Sequence, residues 1–175
     1  PSFAQAVSDW PKHPIRVIVP FPASGATDLV ARVVTQRVAV DLGQQLVVDN
    51  KPGAGGTLGT AEAAKAAPDG YTLLLTTSST HAISPHLMPK LAYDPRKPVA
   101  HVADAPSVLL VTNSLPVKTV GELIAYAKAN PGKLNYATSG NGTIVHLNTA
   151  AFSAQAGVEM THIPYKGTAL AIPDL

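Results

Sequence analysis

A β-branched run, Ile15-Arg16-Val17-Ile18-Val19, is closed by Pro20 and Pro22 and followed at once by a glycine loop and a helical apolar stripe. This order constrains the fold more than any other feature. An unbroken apolar strand feeding a helix is the repeating unit of a parallel sheet covered on both faces. From Thr27 to Leu42 the residues Leu29, Val30, Val33, Val34 and Val38 fall on one helical face, and Gly43 supplies the stop. Leu46-Val47-Val48 is the next predicted strand. Lys51-Pro52-Gly53-Ala54-Gly55-Gly56 leads from it into an alanine-rich helix at 57–67, and Asp69-Gly70 turns the chain into a third strand at 71–76. That strand ends in the polar cluster Thr77-Ser78-Ser79-Thr80-His81.

Residues 84–98 hold four prolines, at 85, 89, 95 and 98, which predicts an irregular crossing. The pattern then restarts. Strands are expected at 99–103 and 108–111, with Asp104-Ala105-Pro106-Ser107 between them as a hinge. Thr119-Val120-Gly121-Glu122 is a capping box, and Val120, Leu123, Ile124 and Ala127 keep helical spacing until Asn130-Pro131-Gly132 breaks it. A strand at 134–137, a helix at 143–156 burying Ile144, Leu147, Ala151 and Ala154, and a strand at 158–163 follow. The fold class is therefore α/β, with two lobes and a cleft between them. Residues 1–13 form an N-terminal extension, 14–104 the first lobe, 105–107 the hinge and 108–175 the second lobe. The last predicted helix has no strand to return to, so the second lobe is expected to be incomplete in this chain.

Composition removes several function classes. Cysteine is absent, which excludes disulfides, thiolate metal sites and cysteine nucleophiles. With 13 Lys and Arg against 11 Asp and Glu, the formal charge is +2 and no basic stripe exists for nucleic-acid phosphates. No run of about 18 apolar residues occurs, so no segment is expected to span a membrane. Ala4-x-Ala6 is the small-residue pattern left by a cleaved export signal, which points to export.

Two similar loops stand between predicted strands and helices, Ser24-Gly25-Ala26-Thr27 and Ser139-Gly140-Asn141-Gly142-Thr143. Each offers a helix N-terminus with unpaired amides and the positive end of the helix dipole, so the pair is suited to grip one anion from opposite sides. The same residues also serve as ordinary N-caps, with Asp28 complementing the dipole of its own helix. His146 lies one turn beyond Thr143, placed either to donate to an anion or simply to face solvent. His81 closes a hydroxyl-rich strand end. The six histidines show no metal-binding spacing. Gly53-Ala54-Gly55-Gly56-Thr57-Leu58-Gly59 lacks the dinucleotide fingerprint, since Leu58 stands where glycine is needed. Lys166-Gly167-Thr168 lacks the glycines of a phosphate loop, and no nucleophile elbow is present. A binder of small acids, with no cofactor, is the leading reading. An α/β enzyme holding a dinucleotide or phosphorylated substrate at the strand ends is the alternative.

The segments Pro14 to Asp28, Asn50 to Gly56, Ala67 to Leu74, Ser139 to Thr143 and His162 to Gly167 together resemble the Bug receptors, or TctC family. These are the extracytoplasmic solute-binding proteins of tripartite tricarboxylate transporters. The resemblance implies a type II periplasmic binding protein whose two lobes close on a carboxylate, without catalysis, and deliver it to the membrane components of the transporter. It places Phe21, Ala23, Ser24, Gly25, Ala26, Thr27 and Asp28, then Ser78, Ser79, Thr80 and His81, then Ser139, Gly140, Asn141, Gly142, Thr143 and His146 around the cleft. Ser24 stands where the family more often has a second glycine, and family members continue well beyond Leu175.

Overall fold

In the computed structural model, which describes residues 10–95 and 99–175, the β-branched run Ile15–Val19 is β1, the middle strand of a three-stranded parallel sheet. The Ala4-x-Ala6 pattern and Pro98 lie outside the described residues. β1 pairs on one side with β2, Leu46–Asn50, from Ile15 against Leu46 to Val19 against Asn50. On the other side it pairs with β3, Thr72–Leu74, placing Arg16 opposite Thr72 and Ile18 opposite Leu74. A strand paired on both edges and covered on both faces must be apolar, and Ile15, Ile18 and Val19 are fully buried. Helix α1, Ala26–Leu42, links β1 to β2, and α2, Thr57–Ala64, links β2 to β3. With strand order β2-β1-β3, the connections diverge at the C-terminal end of β1, the switch point where open α/β sheets form a crevice.

Two helix faces differ from the expectation. In α1 the buried positions are Asp28, Ala31 and Thr35, while Leu29 and Val33 of the predicted stripe are exposed. The sheet is only three strands wide, and small or hydrogen-bonded residues let α1 lie close to it. α2 solves the same problem with Gly59, where a Cβ would meet the Lys51 carbonyl oxygen at 2.6 Å and Pro20 Cβ at 2.9 Å. The polar cluster after β3 is not a simple loop. It winds into a π-helical turn, Ser79–Ile83, continued by the short helix α3, Ser84–Leu87, which accepts Pro85 in its first turn, where no backbone donor is lost.

The predicted strands at 99–103 and 108–111 do not form. Both stretches are coil, with Val99, Val108 and Leu110 well exposed. β-Propensity reports how well a side chain fits a paired surface, and among the described residues no strand pairs with either stretch. The alternation resumes with α4, Val120–Ala129, whose Thr119 hydroxyl accepts from Glu122 N–H while the Glu122 carboxylate accepts from Thr119 N–H. β4, Leu134–Thr138, then pairs in parallel with β5, Met160–Pro164, across α5, Ile144–Ala156. No residue of α5 is buried, and Ile144, Ala151 and Ala154 of its predicted core face are exposed. A two-stranded sheet offers too little surface to bury a helix stripe.

Gly59 gives a test in which two effects oppose. Helix propensity alone favours alanine by about 1 kcal/mol, whereas a methyl group pressed into the Lys51 carbonyl costs about 1–3 kcal/mol. Gly59→Ala is expected to lower the urea unfolding midpoint, because the atoms in the way belong to the Lys51 backbone and Cβ and to a rigid proline ring, which cannot move aside.

Candidate functional site

Four segments converge where the two sheets meet, and each follows the C-terminal end of a strand. Pro20 and Phe21 follow β1, Gly53 to Gly56 follow β2, Ser139 to Asn141 follow β4, and Pro164 to Lys166 end and follow β5. With Met88 they line a cavity of about 380 Å³, within the range of small-molecule sites. A shallower cavity of about 280 Å³ lies between α1 and β2, beside the N-terminal end of that strand, and its Arg32, Gln36 and Gln45 lining belongs to the outer surface.

The cavity exists because backbone meets backbone. Gly55 adopts a left-handed φ of 64°, and a Cβ there would stand 2.9 Å from the Asn141 carbonyl oxygen, so only glycine permits this approach. Beside it the Ile144 N–H, at the start of α5, donates to Ser79 Oγ at 3.1 Å. Ser79 and Thr80 are buried behind the cavity wall. Thr80 Oγ1 bonds Thr76 Oγ1 and His81 Nδ1, and the Tyr93 hydroxyl donates to the Thr80 carbonyl at 2.7 Å. Burial holds the His81 imidazole below its usual range. Ser78 is exposed. None of Ser78 to His81 lines the cavity; they brace the wall that does.

The two loops that look alike in sequence use their donors differently. In the first, Ser24 N–H, Arg32 Nε and Asn50 Nδ2 all donate to the Asp28 carboxylate, which is buried and fastens the loop to α1 and β2. Arg32 holds that carboxyl below the usual aspartate range against the opposing effect of burial, helped by Ser24 and Asn50. The amides of Ala26 and Thr27 meet no acceptor among the described residues, and Ala23 to Asp28 lie outside the cavity lining. Phe21 alone of this group lines it.

In the second loop most donors are engaged within the chain. Gly140 N–H donates to Thr138 Oγ1, Gly142 N–H to His146 Nδ1 and Thr143 N–H to the Gly140 carbonyl. The Thr143 hydroxyl caps α5 through His146 N–H, accepts from the Ser139 hydroxyl and donates to the Gly140 carbonyl. Ser139, Gly140 and Asn141 line the cavity, and the Asn141 N–H has no acceptor among the described residues. Gly142, Thr143 and His146 support them from behind.

Sequence reasoning missed Gly53 to Gly56, Met88, Tyr165 and Lys166. The first and last of these segments carry part of the family resemblance and fail the nucleotide motifs, yet both follow strand C-terminal ends, the signal that identifies the other two. Lys166 is the only Lys, Arg, Asp or Glu lining the cavity, and its ammonium forms no ion pair or hydrogen bond among the described residues. By contrast Arg16 is held by Asp49 and Glu62 on the outer face of the first sheet.

Residues 30–175 match TctC, the tripartite tricarboxylate transporter family receptor. Protein BugT of Bordetella pertussis is 43% identical over 170 residues, which is 95% of this chain and 52% of that protein. A solved structure described as a periplasmic transporter superposes with a TM-score of 0.91 at 45% identity, over 94% of this chain and 56% of its own. A protein from R. palustris, solved with adipate, superposes with a TM-score of 0.92 at 39% identity, over 95% of this chain and 57% of its own. The chain spans about half the length of the relatives it matches. These superpositions agree with an α/β fold of the type II periplasmic binding protein kind.

The Asp28 arrangement generates a prediction with a sign. Its carboxyl is depressed in the folded chain, so the folded state binds fewer protons than the unfolded state as acid is added. The stability it contributes is complete above the ordinary aspartate value of about 4 and is lost as pH falls through the folded value. Asp28→Ala strands three donors and is expected to cost about 3 kcal/mol at neutral pH. Urea unfolding at neutral and acid pH reads both the loss and its narrowing at low pH.

Proposed function

The chain belongs to the TctC family of tripartite tricarboxylate transporter receptors, and from that premise we propose that its cavity captures a small carboxylate for delivery to the membrane components of such a transporter. The observation that carries this reading is the chemistry of the cavity. Glycine-rich backbone from two strand ends allows close approach, the Asn141 N–H meets no acceptor and the Lys166 charge no partner among the described residues. Phe21, Met88 and Pro164 supply apolar surface for a short carbon skeleton. Adipate, present in the R. palustris structure, is a small dianion of that description.

In this reading the receptor works in the periplasm, which relatedness to a periplasmic transporter supports. No helix of the described residues is long and apolar enough to cross a membrane. The lobes at 14–104 and 108–175 close about residues 105–107, which lie in the exposed coil between the two sheets. Binding and release are the whole of its chemistry, with no cofactor and no catalytic step.

Calorimetric titration against mono-, di- and tricarboxylates tests the proposal. At least one carboxylate is expected to bind with one-to-one stoichiometry, and Lys166→Glu is expected to weaken it at least about tenfold while leaving the unfolding midpoint unchanged, since Lys166 is exposed and unpaired. A panel in which nothing binds overturns the reading.

A further inference from the structure

Behind the second loop, His146 of α5 and His162 of β5 lie face to face, with ring centroids 4.1 Å apart and planes 7° from parallel. Tyr136 of β4 stacks on the other side of His162, at 4.9 Å and 19°. Each imidazole ends on a different glycine of the loop. His146 Nδ1 accepts from Gly142 N–H at 3.2 Å. His162 Nε2 bonds Thr138 Oγ1 at 2.6 Å, and that oxygen accepts from Gly140 N–H at 3.2 Å. The glycines flank Asn141, a cavity-lining residue whose amide meets no acceptor among the described residues.

We infer that the stacked histidines are positioning residues that set the Gly140-Asn141-Gly142 backbone while both rings are neutral, and that proton uptake at His146 releases its Gly142 end. The inference rests on the carboxylate reading for its consequence in binding, but the effect on the loop stands apart from it. A protonated Nδ1 on His146 points a donor at the Gly142 N–H, so that hydrogen bond is lost outright. Two imidazolium rings at 4.1 Å repel each other, so charging one opposes charging the other. The titratable groups stacked on the pair are each ring's partner and the Tyr136 phenol, and among the described residues no ion pair involves either ring. Burial first, and then the neighbouring His146, hold the His162 imidazole below its usual range, as the stack requires.

Amide and imidazole NMR of the ligand-free chain from pH 8 to pH 5 decides the matter. The Gly142 amide resonance is expected to titrate together with the two imidazoles. In His146→Asn, whose side-chain oxygen stands near the position of Nδ1, the Gly142 shift becomes independent of pH and the His162 midpoint rises. In His162→Gln, which keeps a partner for Thr138 Oγ1 and removes the second ring charge, Gly142 is expected to titrate in a single step, and this variant serves if the first fails to fold. Adipate affinity is expected to fall about tenfold from pH 7.5 to pH 5 in the parent chain, the equivalent of one lost hydrogen bond, and by less in His146→Asn. A Gly142 amide that stays fixed over this range, or that titrates unchanged in both variants, overturns the inference. Absence of adipate binding at either pH counts against adipate as a ligand of the cavity, and leaves the amide titration to decide the role of the histidines.

Discussion

The structure turns on one close approach, the Gly55 backbone against the Asn141 carbonyl, where a single methyl group would stand 2.9 Å from oxygen. Everything that makes a cavity here depends on it. The loop after β2 forms one wall, the loop after β4 forms the facing one, and their separation is set by two main chains without side chains between them. The neighbouring hydrogen bond from Ile144 N–H to Ser79 Oγ ties the start of α5 to the buried turn after β3. Main chain in this geometry supplies polar groups at fixed positions, with little conformational freedom to lose when an anion arrives.

The two glycine loops divide the work. The first is fastened by a buried carboxylate that collects donors from its own loop, from α1 and from β2. That network keeps the C-terminal end of β1 in place so that Phe21 and Pro20 can form the floor. The second loop is fastened by hydroxyls and imidazoles, which leave Asn141 at its tip as the exposed donor. Fastening one loop through a carboxylate and the other through histidines gives them different responses to acid. The carboxylate tether persists through the range in which imidazoles take up protons.

Much of the scaffold was legible in the sequence because its signals are local. Ile15–Val19 announces a doubly covered strand, Thr119 with Glu122 announces a helix start, and Gly43 closes α1 in left-handed conformation. What was not legible depends on partners. Val99 to Ala103 and Val108 to Val111 carry strand chemistry but have no neighbour to pair with among the described residues. The faces of α1 and α5 were misjudged because narrow sheets reward close approach over a broad apolar stripe. At the site, Ser139 to Asn141 and Phe21 were readable from their place after strands. Gly53 to Gly56 and Tyr165-Lys166 obey the same rule, but they fail the nucleotide motifs and carry no local sign of a carboxylate site. Asp28 and His146 have the chemistry of ligand contacts, yet in the fold their polar atoms are engaged by the loops they support.

In the proposed receptor the carboxylate site lies between the two sheets, at the C-terminal ends of β1, β2, β4 and β5. Backbone amide chemical-shift mapping during titration with adipate tests it most directly, since it reports where a ligand sits as well as whether it binds. The account predicts that the largest changes fall on Phe21, Gly55, Gly140, Asn141 and Lys166. Changes concentrated at the outer cavity between α1 and β2, on residues such as Gln36 and Gln45, would contradict it.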